Sequence, residues 1–68
     1  MSYSDYVSAA RIAHDWGLTH DKHENGITIH HLPKNTTRAT VVLSSIRRAV
    51  KSKVNVRWID EWTAKVSW

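Results

Sequence analysis

Cysteine is missing from this chain of 68 residues, and so is phenylalanine; proline occurs once and glycine twice. The lack of cysteine excludes disulfides, thiolate nucleophiles and cysteine-ligated zinc. The usual staples of a small domain therefore reduce to a histidine metal site or self-association. No apolar run approaches the ~18 residues needed to span a bilayer. The opening "MSYSDYVSAARIAHDWG" has no basic region followed by an apolar stretch, so no signal peptide is expected. Asn35-Thr36-Thr37 fits a glycosylation sequon and is read as chance. A glycine-rich phosphate loop, paired catalytic carboxylates and a cofactor fingerprint are all lacking. The expectation is one domain over residues 1–68, cytoplasmic, without a cofactor, a membrane partner or an enzymatic activity of its own.

Acidic residues are missing from one block. Residues 34–57 carry Lys34, Arg38, Arg47, Arg48, Lys51, Lys53 and Arg57 and no acid at all. Before that block Arg11 and Lys22 stand against Asp5, Asp15, Asp21 and Glu24; after it Lys65 stands against Asp60 and Glu61. The formal charge of +4 thus conceals a strongly cationic centre. Such asymmetry favours a polyanionic partner, either nucleic acid or an acidic protein surface.

Periodicity gives the elements. Tyr3, Tyr6, Val7, Ala10, Ala13 and Trp16 recur at helical intervals, with Ala9 and Ile12 widening the apolar face, so residues 3–16 are predicted helical. Ser2 and Asp5 have capping-box spacing. Gly17 supplies a terminator able to take positive φ, with Leu18 placed to pack back. Asn25-Gly26 is a strong hairpin signal: a two-residue type I′ turn there pairs Glu24 with Ile27, Lys22 with Ile29 and His20 with His31. The first strand of that hairpin reads as an edge, and Pro33 ends the second.

Ala39, Val42, Leu43, Ile46, Ala49 and Val50 share one arc of a helical wheel, predicting a second helix over about 36–52 capped by Asn35, Thr36 or Thr37. The tail "KVNVRWIDEWTAKVSW" alternates with period two. A three-residue loop, Ile59-Asp60-Glu61, sets Trp58 opposite Trp62, Val56 opposite Ala64 and Val54 opposite Val66. A two-residue loop is rejected for mixing the faces, and a short final helix from Asp60 is the rival reading. The expected architecture is α+β, helix–hairpin–helix–hairpin (αββαββ), with two helices packed on one face of a small antiparallel sheet that buries Trp16, Ile46, Val54, Val56 and Trp58.

Histidines cluster in "KHENGITIHHLP". Asp21, His23 and His30 would share one strand face, a set able to hold Zn²⁺ with an open position. The tight spacing of a specific zinc motif is absent, and no metal site is assigned. For catalysis, Asp15 or Asp21 offers an orienting carboxylate, but no serine or lysine completes a set. The basic stretch "SSIRRAVKS" following a His-bearing sheet resembles the closing helix of small αβ ribonucleases of the HicA toxin type. That resemblance implies a His-dependent ribonuclease, although the Gly-x-His context is missing and the spacing differs.

The sequence leads to a small nucleic-acid-binding module acting mainly through phosphate contacts from the second helix, with Lys34, Arg38, Arg47, Arg48, Lys51, Lys53 and Arg57 as its contacts. The alternative is a protein-interaction or inhibitor module. It would set Trp58, Trp62 and Trp68, with the basic helix, against an acidic protein surface, with homodimerisation as an option. A His-dependent ribonuclease ranks third.

Overall fold

The computed structural model describes residues 3–68 as α1 (Tyr3–Asp15), β1 (His20–His23), β2 (Gly26–His30), α2 (Thr37–Ala49), β3 (Asn55–Asp60) and β4 (Thr63–Ser67). This is a small α+β fold of two helices and a four-stranded antiparallel sheet in the order β1-β2-β4-β3. The central strands are β2 and β4, and β1 lies at an edge as its sequence suggested.

In α1 the buried positions are Asp5, Ala9 and Ala13, at i, i+4 and i+8, flanked by half-buried Tyr6 and Ile12. Val7 and Trp16, expected in the core, are 42% and 36% exposed. The helix is rotated so that its alanines face inward, which lets it approach α2 closely. Ser2 lies outside the described residues, and Asp5 has a role other than a local cap. Its carboxylate accepts from Lys51 N at 3.1 Å and from Ser52 Oγ at 2.9 Å, tying α1 to the α2–β3 connection. The helix ends in a Schellman motif, with Gly17 at φ 71°. Gly17 N donates to His14 O and Leu18 N to Ala13 O, both at 2.9 Å.

Thr36 caps α2: its Oγ1 accepts from Ala39 N at 3.2 Å and donates to Pro33 O at 2.7 Å. The helix stops at Ala49 rather than near residue 52. Val50 turns out at ψ 126°, and Lys51 N–H goes to Asp5 instead of continuing the helical ladder. Ala49, placed by the wheel on the apolar arc, is consequently exposed.

Both hairpins differ from their predicted register. In the first, His20 faces Ile29, Asp21 faces Thr28, Lys22 faces Ile27 and His23 faces Gly26. The turn residues are Glu24 and Asn25, and neither Asn25 nor Gly26 has positive φ. Gly26 is required for another reason: a Cβ there would collide with the Val66 carbonyl oxygen and come within 2.9 Å of Ser67 Cα. Close approach of β4, not turn geometry, selects the glycine.

In the second hairpin Trp58 faces Ala64, Arg57 faces Lys65 and Val56 faces Val66, with a register shift between Trp58 and Asp60. A bulge at Ile59 followed by a two-residue turn, Glu61-Trp62, replaces the expected three-residue loop. The bulge restores the face alternation that a two-residue turn alone would have broken. No final helix forms from Asp60: the segment is strand, Thr63–Ser67 being β4.

Ile27, Ile29, Ala64 and Val66 of the central strands lie on one sheet face and form a single buried cluster with Ala9 and Ala13 of α1 and Ala39, Val42 and Ile46 of α2. Leu18, Val50 and Val54 complete it from the connections. Leu32 also enters it fully buried, although simple alternation after Ile29 would bring in His31. His31 takes φ 64°, which reverses the pleat and exchanges the two side chains. The chain then runs along the β3–β4 turn, with Leu32 N donating to Trp62 O (2.9 Å) and Lys34 N to Glu61 O (2.8 Å). Pro33 therefore follows the strand end, which comes at His30.

Candidate nucleic-acid interface

The fold divides the expected cations into three groups. Lys34 and Arg38 lie at the N-terminal end of α2, where Arg38 is already engaged. Its Nη2 donates to Trp16 O at 2.7 Å, and its guanidinium sits 5.4 Å from the centre of the Trp16 ring. A cation on the carbonyl end of α1 is favourable there, so Arg38 is accounted for by packing the two helices together.

About 14 Å of helical rise separates Arg38 from Arg47. Arg47 and Arg48 occupy the last turn of α2, and Lys51 and Lys53 follow in the connection to β3. Lys51 contributes its backbone N–H to Asp5, which holds this connection in place while the side chain stays exposed. None of the seven cations in residues 34–57 forms an ion pair among the described residues, where the ion pair found is His30 with Asp21.

Arg57 belongs to a different surface. The registers align residues across the outer face of the sheet in three rows: His23, Gly26, Ser67 and Asn55; Asp21, Thr28, Lys65 and Arg57; and His30, Thr63 and Asp60. Every position but Gly26 is polar or charged. Alternation continues upstream of β3, with Lys53 and Asn55 exposed and Val54 buried, so Lys53 projects to the same side. Sequence reasoning missed Lys65. It lies outside the acid-free block, and the predicted register would have faced Arg57 with Thr63. The bulge at Ile59 is what brings Lys65 opposite Arg57.

The histidines are distributed over several partners. His30 Nε2 donates to Asp21 Oδ2 at 2.6 Å, and His23 Nε2 is hydrogen-bonded to Thr28 Oγ1. Asp21, His23 and His30 do share a face, but the latter two are committed to separate partners, and no cluster suited to a metal occurs among the described residues. The expected His20–His31 cross-strand pair does not form. His20 faces Ile29 and tilts against Tyr6 at 6.2 Å between ring centres, whereas His31 lies beyond the strand, 6.5 Å from the His30 ring. Lys22 Nζ sits 4.8 Å from the Tyr6 ring centre, so this edge of the inner face is closed by an aromatic ring under a cation.

Asp60 closes the third row. Its Oδ1 accepts from Trp62 N at 2.8 Å. That backbone hydrogen bond is the main reason its carboxyl lies below the ordinary value of 3.8, with Thr63 and the nearby His30 acting in the same direction against desolvation.

The tryptophans do not make one patch. Trp58 and Trp68 are half-buried against the core, towards opposite ends of the β3–β4 ladder, and the Trp68 indole N–H is buried without an acceptor among the described residues. Trp62 stands apart, 58% exposed at the β3–β4 turn, where Ile59 is also 58% exposed. Pro33, Lys34, Asn35, Glu61 and Trp62 line an open cleft of about 310 Å³ beside it.

No protein family, curated protein or solved structure matches this chain. The resemblance to HicA-type ribonucleases thus carries no further argument. Among the described residues no helix is long and apolar enough to cross a membrane.

Proposed function

We propose that this protein is a small cytoplasmic nucleic-acid-binding module, without catalysis of its own, that holds the phosphate backbone with Arg47, Arg48, Lys51 and Lys53. The observation that carries this reading is a run of cations with no acidic partners, gathered where α2 ends and the β3 connection begins. A folded domain with a thin stability margin gains little from uncompensated like charge, which repels itself. A polyanion supplies the missing counter-charge. Asp5 supports the arrangement by fixing the backbone from which Lys51 and Lys53 project.

Contacts of this type read phosphate rather than base sequence, so affinity should fall steeply with salt. Short labelled duplex DNA, single-stranded DNA and RNA titrated at low and moderate salt test the reading. Steep salt dependence, with loss of roughly tenfold or more in affinity on Arg47→Glu plus Arg48→Glu, is the expected result. Absence of binding at low salt would refute it.

One observation favours a second reading. Trp62 is exposed and lines a cleft with Lys34, and Ile59 is exposed in β3 just before the same turn, a composition suited to an acidic protein partner or a second copy of the chain. In that case Trp62→Ala abolishes association and the Arg47/Arg48 reversal matters less.

A further inference from the structure

The outer sheet face contains an arrangement that folding alone disfavours. Arg57 and Lys65 stand directly opposite one another on β3 and β4, with Thr28 next in the row. Side chains so placed start about 5 Å apart, and like charges in that position destabilise a sheet. Among the described residues no carboxylate relieves them. Asp21, in the same row, is held by His30, and Asp60, in the next, accepts from the Trp62 backbone. Neither makes an ion pair with Arg57 or Lys65. Lys53 adds a third cation to this side of β3. Asn55, Thr63 and Ser67 surround the pair with groups that hydrogen-bond phosphate oxygens.

We infer that the outer face of the sheet is a second phosphate-binding surface, centred on the Arg57–Lys65 pair, and that its occupant is the sugar-phosphate backbone of a nucleic acid. Charge complementarity identifies the occupant. Two adjacent cations ringed by hydroxyl and amide groups fit a non-bridging phosphate oxygen pair; the rows aligned across the face carry no apolar side chain, and Ile59, exposed beyond Arg57 at the bulge, stands singly rather than in the apolar cluster a protein interface is built around. It also offers no large aromatic ring for stacking: the even-numbered Trp58 and Trp68 turn to the core side. Single bases are therefore not read here, and the contact is tolerant of sequence. Lys53 links this surface to Lys51, Arg48 and Arg47, so one strand can pass from the end of α2 around the β3 edge onto the sheet.

The inference rests on the nucleic-acid reading above, and the test separates the two. Lys65→Glu converts the like-charge pair into an opposite-charge one, so it stabilises the fold while it removes a phosphate contact. Thermal unfolding should rise by roughly 1–5 °C. Affinity for labelled RNA or DNA should fall about tenfold at low salt, and the slope of log K against log salt should become shallower by roughly 1–2. A second variant, Arg57→Gln plus Lys65→Gln, removes both cations without adding an acid and should give the same loss. Full affinity in both variants, with binding still lost in the Arg47→Glu plus Arg48→Glu variant, overturns the sheet surface alone. Failure of the unaltered chain to bind either nucleic acid overturns both proposals. Equal binding of poly-glutamate and RNA, with the same dependence on Lys65, would assign the surface to acidic protein instead and overturn the occupant named here.

Discussion

The two faces of one sheet are built on opposite terms. The inner face presents Ile27, Ile29, Ala64 and Val66 to both helices, and each of these side chains is fully buried. The outer face presents Lys65 and Arg57, two like charges side by side, in one row with a buried Thr28. Every inner residue lowers the free energy of the fold by leaving water. The outer pair raises it. A surface that works against folding is better explained by what it meets than by what it stabilises, and this contrast, rather than net charge alone, points to the outer face.

The largest expected effect is on the inner face. Ile29→Ala should cost about 2–5 kcal/mol, from lost burial and the cavity left behind. Because a domain of this size has little stability in reserve, circular dichroism should show the variant largely unfolded at physiological temperature. A variant that melts near the unaltered chain would break the comparison at its strongest point.

Next comes the joint between the helices and the basic connection. Asp5→Ala leaves Lys51 N and Ser52 Oγ without their acceptor and should cost about 1.5–3 kcal/mol, since these are hydrogen bonds to a buried carboxylate. Denaturant unfolding measures this. Amide exchange at Lys51 sharpens it, because loss of protection there should exceed that in β2.

The smallest effect lies on the outer face, at Asp60. Its carboxyl is held below 3.8 in the folded chain, so the ionised form stabilises the fold. That contribution is present above the ordinary value and is lost as pH falls through the lower folded value. The melting temperatures of the unaltered chain and Asp60→Asn should differ modestly at neutral pH and converge as pH drops below 3.8. A gap that stays constant down that range would show that Asp60 acts through shape and not charge.

Much of the fold was legible along the chain. The helical wheel of α2, the Gly17 terminator, a cap among Asn35, Thr36 and Thr37, and the face taken by the strand residues outside the Ile59–Asp60 bulge all follow from local pattern. The registers did not. In each hairpin the true pairing lies two positions from the expected one, and a displacement of two leaves every side chain on its original face. Hydrophobic alternation is blind to such a displacement. What distinguishes the alternatives is non-local: the close passage of Val66 and Ser67 over Gly26 in one hairpin, and the bulge at Ile59 in the other.

The candidate site divides the same way. Arg47, Arg48, Lys51 and Lys53 were visible as an acid-free run, because neighbours in sequence stay neighbours at a helix end. Arg38 was visible too, but its engagement with Trp16 depends on how α1 crosses α2. Lys65 was hidden, since its local surroundings include Asp60 and Glu61 and only the ladder sets it against Arg57.

The sequence by itself determined that this chain forms two amphipathic helices and two hairpins, and that its cations crowd into one central block. Period and composition are local properties, and they survive whatever the chain packs against. The tertiary structure alone decided which way α1 turns, where Asp5 finds its partners, that His31 yields its core position to Leu32, and that Arg57 and Lys65 meet. Each of those depends on a contact between residues far apart in the chain, where sterics and hydrogen-bond satisfaction choose among arrangements that the local pattern leaves equal.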